Sequence, residues 1–331
     1  MPDRFAHTSA PGRLKRWAAP ALLALLLAAP APCPADEAAP AETPAGTELV
    51  ETDPYAENIY NFVDVSMDPS GGIPADAEGR LEKMQRAGRL RVATDPYFEP
   101  QEFIDESRSG QDRYVGSDIE LAKVIAERLQ VELEIVPMDF QDVLESMEAG
   151  TCDLAISGLA YTPGRASVMT LSKGYHFSPD ETGTGILIRE KDAAVIAGPQ
   201  DLASRNLIAQ SGSLQEMLLA EHVGRYREFR RVASMQEVYD AVASGEADAA
   251  GVDIETAELY ISSNPGCGLT LLEDVSFHLD QELQGDRVAA PKGENQLIAF
   301  VNGVIDEVLR EDLYETWFDT YSEYSASLPR E

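Results

Sequence analysis

From residue 89 onward the apolar positions fall into short continuous runs and helical stripes that alternate along the chain. Residues 89–94 predict a strand. Residues 117–130 then carry Leu121, Val124, Ile125 and Leu129 at the spacing of a helix that buries one face, and Ser117-Asp-Ile-Glu120 at its start reads as a capping box. A strand at 131–136, a helix at 140–149 and a strand at 154–157 complete a first set. A second set follows, with strands at 206–209, 229–232 and 247–252 and helices at 213–222, 235–243 and 255–262. Strands separated by helical segments predict α/β architecture, with parallel-rich sheets flanked by helices. Extended segments at 182–188 and 277–289 join the sets, so the pattern predicts two lobes linked by two crossings. A last helix pair, 294–309 and 313–321, returns to the first lobe. The expected division is 75–183 plus 286–322 for lobe one, 184–285 for lobe two and a tail at 323–331. Ligands of open α/β sheets lie beyond the carboxyl ends of the strands, which directs attention to the cleft between the lobes.

The N-terminal part follows other rules. Residues 1–35 run from basic (Arg4, Arg13, Lys15, Arg16) through an apolar stretch at 18–29 to small residues, the order of a secretory signal peptide. The apolar stretch falls short of the roughly 20 residues that span a membrane. The mature protein is therefore expected outside the cytoplasm, in the periplasm or its equivalent. Cys33 invites a lipid anchor, but Pro32 stands where a small residue is needed, which argues against one. Residues 36–74 are Ala/Pro/Glu-rich and then Gly/Ser/Asp-rich, the composition of a flexible tether. Within it Tyr55, Tyr60 and Phe62 form an aromatic cluster able to dock locally, and a short amphipathic segment at 75–87 follows.

Composition narrows the classes. With 44% hydrophobic residues in 331 the chain builds packed cores, and 26 Lys+Arg against 58 Asp+Glu give a net charge of −32. Such a field repels nucleic acid and anionic membranes. Cys152 and Cys267 are the cysteines beyond the leader; no CxxC or His-rich cluster accompanies them, so no metal or cofactor site is expected. Two buried small residues is their plain reading. GxSxG, GxxxxGK[ST] and HExxH are absent.

Four places carry chemistry. The segment 94–100, Thr-Asp-Pro-Tyr-Phe-Glu-Pro, presents an acid and two aromatics at a strand end, although an ordinary loop also uses Asp and Pro. Residues 157–165 combine small residues, which let a ligand approach the backbone, with Arg165, able to grip a carboxylate bidentately. Residues 209–213 precede a helix whose free N–H groups suit an anion. Asp253, at the end of a strand, is placed to hold an ammonium. None is specific alone; together they offer donors for a carboxylate, an acid for an amine and aromatics for a body.

These segments, with 116–122, 136–140, 150–165, 245–253 and 289–293, occur in the order found in family 3 extracellular solute-binding proteins, which the chain resembles over about 78–322. The resemblance implies the type II two-lobed periplasmic-binding-protein fold, hinge closure on a polar amino acid, and delivery by a monomer to an ABC transporter permease. It implies that Arg165 grips the α-carboxylate, helped by backbone N–H groups of Ala160 and Ser213. Asp253 would take the α-ammonium, with a carbonyl near Gly158 in reach. Phe98 and Phe140 match aromatics that sandwich the ligand stem, Asp95 an acid that meets its side-chain end, and Gln210 and Gln215 polar contacts of lobe two. An acid at 95 favours glutamine or a basic amino acid. Ala160 replaces a frequent hydroxyl residue, while Gln101 and Ser117 replace aromatics and read as packing positions. Two rival readings stay open. One is a cyclohexadienyl or arogenate dehydratase-like enzyme, for which Glu255 would be the general acid; the other is a ligand-sensing module. The binding-protein reading makes the chain no enzyme.

Overall fold

Leu90 and Val92 point to one side of their strand and Ala93 to the other, and each side meets a separate core. The computed structural model describes Asn58 and residues 60–177 and 183–328. The leader expected at 1–35 with Cys33, the expected tether as far as residue 57 with Tyr55, and Thr182 at the start of the first crossing lie outside the described residues.

Helix α1 (Gly79–Ala87) leads into β1 (Arg89–Thr94). Three short antiparallel strands follow, β2 (Tyr97–Phe98), β3 (Glu102–Ile104) and β4 (Tyr114–Val115). The first lobe continues with α2 (Ser117–Leu129), β5 (Glu132–Pro137), α3 (Phe140–Ala149), β6 (Leu154–Ala155), α4 (Pro163–Val168) and β7 (Met169–His176). The second comprises β8 (Thr184–Arg189), β9 (Asn206–Gln210), α5 (Leu214–Val223), β10 (Glu228–Val232), α6 (Met235–Ser244), β11 (Ala249–Asp253), α7 (Ile254–Ser263) and β12 (Leu269–Leu271). The chain then returns through β13 (Asp286–Pro291), α8 (Asn295–Arg310) and α9 (Leu313–Ser327).

The first sheet has the order β5-β1-β6-β13-β7 and the second β10-β9-β11-β8-β12. Within them β1 runs parallel to β5 and β6, and β9 parallel to β10 and β11, while β13 and β8 are antiparallel to their neighbours. Helices cover both faces of each. In lobe two Ile186 and Ile188 meet Leu218 and Leu219 of α5, and Leu187 between them meets Val238 and Val242 of α6. Burial of these alternating positions supplies the drive for layering. Ser234 and Glu237 form a reciprocal capping box at the start of α6.

Several expectations change. The capping box at Ser117 does not form: Gly116 is the N-cap of α2, and its first N–H groups are satisfied by the carbonyls of Pro100 and Gln101. A side chain at 116 would meet the Gln101 oxygen at 2.1 Å, so the loop takes the space and the capping role together. The Ser117 hydroxyl turns instead to Tyr314 Oη, 3.1 Å away. The tether reading fails over its described part, because Phe62 and Val63 are buried against the first lobe. The expected tail is helical as far as Ser327, since α9 continues past residue 321. Cys152 is buried but Cys267 only half-buried, and both are free thiols.

Candidate functional site

The chain passes between the sheets after β7 and again before β13, and the ends of these strands frame a cavity of about 390 Å³. Nine of the ten expected site residues line it: Phe98, Phe140, Gly158, Ala160 and Arg165 from the first lobe, and Gln210, Ser213, Gln215 and Asp253 from the second.

Arg165 is held by its local sequence. Thr162 caps α4, accepting the Arg165 N–H at 3.1 Å, and Pro163 occupies the first turn, where no N–H is needed. The guanidinium reaches across the cleft. Its Nη1 donates to the Ala160 carbonyl at 2.5 Å, its Nη2 to the Gly212 carbonyl of lobe two at 2.9 Å, and it lies 5.3 Å from the centre of the Phe140 ring. It is 5% exposed, its Nε has no hydrogen-bond partner, and among the described residues no carboxylate pairs with it. Burial pulls its pKa down to about 10, opposed by the field of Asp286. A buried cation left without a counterion is costly, and a ligand carboxylate would relieve that cost.

The same cavity also carries acids. Asp253 caps α7, its Oδ1 accepting the Thr256 N–H at 3.0 Å. Its pKa is pushed up to about 7, first by burial and then by Glu255 and Asp286, against the Thr256 hydrogen bond and His176. Asp286 opens β13 and accepts from Gln101 Nε2 at 2.8 Å; burial raises it too, while His176, Gln101 and Arg165 hold it down. His176, 4% exposed, ends β7 with Nδ1 3.1 Å from Glu315 and Nε2 3.8 Å from Glu255, stacked on Phe318 at 4.5 Å. Burial acts to lower its pKa, but hydrogen bonds to Glu255 and Glu315, with the field of Asp286, push it up to about 10.

Gly158 illustrates local necessity. At φ +53° it has no room for a side chain, since a Cβ would lie 3.0 Å from the Phe98 ring, and its N–H donates to buried Asp118 at 2.9 Å. The Ser213 hydroxyl caps α5 and its N–H points to the Gln210 carbonyl at 3.3 Å, a turn contact.

Asp95 differs from expectation. It does not line the cavity: Gln210 comes between, and its Nε2 donates to Asp95 Oδ2 at 2.8 Å. Burial raises the Asp95 pKa to about 7, with the Gln210 hydrogen bond opposing and Asp139 assisting. Gln101, read as packing, lines the cavity. Asp286 and His176 were not singled out by motif. The one signal was a charge pair, Asp286-Arg287, entering an apolar strand.

Two lobes joined by two crossings around a cavity lined by a buried arginine and several acids define a type II periplasmic binding fold. Residues 90–322 match the bacterial extracellular solute-binding proteins, family 3, and the chain belongs to that family. The arginine-binding extracellular protein ArtP of Bacillus subtilis is 28% identical over 208 residues, 59% of this chain and 76% of its own. The amino acid ABC transporter substrate-binding protein AbpA of Streptococcus pneumoniae, solved with L-arginine, superposes with a TM-score of 0.66 at 29% identity, covering 75% of this chain and 100% of that one. The ancestral amino-acid-binding protein AncCDT-1, a precursor of cyclohexadienyl dehydratase, gives 0.63 at 25% identity, with coverage of 73% and 99%. Among the described residues no helix is long and apolar enough to cross a membrane, and no group of His, Cys, Asp and Glu could hold a metal ion.

Proposed function

We propose that the protein captures an amino acid with a cationic side chain outside the cytoplasm and hands it, as a monomer, to an ABC permease, with residues 1–35 directing export. The observation that carries this reading is the charge layout of the cavity. Arg165 has no carboxylate within ion-pairing distance among the described residues, while Asp253, Glu255 and Asp286 line the same cavity, Asp286 near enough for its field to reach Arg165. A zwitterion fits when Arg165 takes its carboxylate, leaving the Ala160 and Gly212 carbonyls, and Asp253 its ammonium. Phe98 and Phe140 flank the stem, with Gly158, Ala160, Ser213 and Gln215 closing around it. In this reading Asp286, held by Gln101, faces the side-chain cation, the role expected of Asp95, while Asp95 and Gln210 fasten the lobes together. The excess of acid disfavours glutamate and aspartate and ranks glutamine below arginine and lysine. The arginine-binding relatives support the same choice.

Glu255 and the likeness to AncCDT-1 keep the dehydratase reading in view, but the Glu255 carboxylate faces His176, the partner of a charge pair. A thermal-shift screen tests both. A ligand at 100 times its dissociation constant adds about 2.7 kcal/mol of stability. L-arginine and L-lysine should raise the melting temperature, L-glutamate should not, and prephenate and arogenate should be neither bound nor converted. A rise with L-glutamate alone, or product formation, would displace the proposal.

A further inference from the structure

Residues 60–69 precede the region that matches the family, yet they pack against the first lobe beside β7, one of the strands that end at the cavity. Phe62 bridges in parallel to Leu171 on β7, the edge strand of the first sheet, and Val63 N–H donates to the Leu171 carbonyl at 2.8 Å. The fully buried Asn302 of α8 donates to the carbonyls of Val63 and Val65 at 2.8 and 2.9 Å, and accepts the Lys173 N–H at 3.0 Å. Further along, Met67 N–H donates to the Ala299 carbonyl, and Gly303 leaves room for the Met67 oxygen, which would stand 1.8 Å from a Cβ there. The segment is a strap fitted to its seat.

The strap ends on Arg287. The Phe62 ring lies 4.0 Å from that guanidinium, and the Tyr161 hydroxyl donates to the Tyr60 carbonyl at 2.7 Å. Arg287 is 2% exposed and has no carboxylate partner among the described residues; its Nη1 donates to Ser172 on β7 at 2.8 Å and its Nη2 to the carbonyls of Glu282 and Gln284 at 3.4 and 3.3 Å. It therefore ties the second crossing to the sheet edge. Its own N–H donates to the Leu159 carbonyl at 2.8 Å, and its neighbour Asp286 bridges to Ala160. A buried guanidinium whose donors meet only neutral carbonyls draws compensating electrostatics from the rings beside it, whose centres lie 4.0 Å (Phe62) and 5.7 Å (Tyr161) away, and from the field of Asp286, with Phe62 the nearer ring.

We infer that the strap belongs to the binding machinery: Phe62 seats Arg287, Arg287 fixes the second crossing, and the crossing sets Asp286 and Ala160 in the cavity wall. Phe62 and Arg287 are thus positioning residues. The ligand arm rests on the function proposed above; the crossing arm does not.

The test uses the full mature chain with Phe62→Leu and Phe62→Tyr. Phe62→Leu keeps the apolar bulk but loses the ring face, and should raise amide exchange at residues 282–288 about tenfold in ligand-free protein, leaving β9 to β11 unchanged. It should also weaken L-arginine about tenfold, with Phe62→Tyr restoring both. Unchanged exchange at 282–288, or a loosened crossing with affinity within about twofold of the parent, would overturn the inference. If the parent itself fails to bind L-arginine, the proposed function falls and the exchange result alone decides for or against the strap.

Discussion

At the scale of single residues, the cavity is governed by charges that the protein leaves uncompensated. Asp253 has a pKa raised to about 7 in the fold against 3.8 outside it. Between these values the folded state holds more protons than the unfolded one, so this group makes the ligand-free protein less stable as pH rises from about 4 to about 7. Asp95 acts in the same sense. Under the proposed function the ligand ammonium meets Asp253 and prefers it ionised, so binding near pH 6 is expected to expel a proton. The groups facing Asp253 are Glu255 and Asp286, which hold the proton on, and His176, which remains charged throughout this window with its pKa near 10. Titrations of L-arginine at about pH 6 in buffers of different ionisation enthalpy should show release of about one proton, falling away above about pH 8. Proton uptake, or no buffer dependence, would contradict the charge layout. Of these residues Arg165 and Asp253 were placed at the cavity from sequence, because each follows a strand end and the family resemblance singled them out where the local pattern alone was unspecific. Asp286 was not, because a carboxylate opening an apolar strand matters only once the crossing brings it opposite Asp253.

Among the elements, helices with one apolar stripe were read nearly to the residue: α3 begins at Phe140 and ends at Ala149, as its pattern requires. Strand β7 escaped because it is buried on both faces and so carries no alternation, seven of its eight residues being buried. The capping box at Ser117 failed because a loop backbone did the capping, which local sequence cannot reveal. The described residues of the segment before 75 differ from their reading for a related reason: their composition is that of a tether, but the hydrogen bonds of Val63 and Val65 go to Asn302 and Phe62 bridges to the edge of β7. Covering that edge also shields unpaired strand groups from other chains. Gly303→Ala forces the strap off its seat and should cost about 1 to 3 kcal/mol, the usual range for overpacking. Urea unfolding measures this directly; an unchanged midpoint would mean that Met67 shifts freely and the seat is not tight.

For the whole molecule, the two lobes are held by hydrogen bonds that a ligand would partly replace. Arg165 to Gly212 and Gln210 to Asp95 both cross the cleft. Under the proposed function a ligand carboxylate displaces the Arg165–Gly212 bond with a charged acceptor, roughly twice as strong as a neutral carbonyl, and the ligand itself relinks the lobes by setting its ammonium on Asp253. On that proposal closure and affinity are one process, as in hinge-bending binding proteins. The central claim is that Arg165 is the carboxylate clamp of an amino-acid site, and calorimetric titration of L-arginine into the parent and Arg165→Ala proteins at neutral pH tests it most directly. The account predicts saturable binding to the parent and a loss of about 2 to 5 kcal/mol in the variant. No binding by the parent, or a variant weakened by less than about tenfold, which is 1.4 kcal/mol, would contradict it.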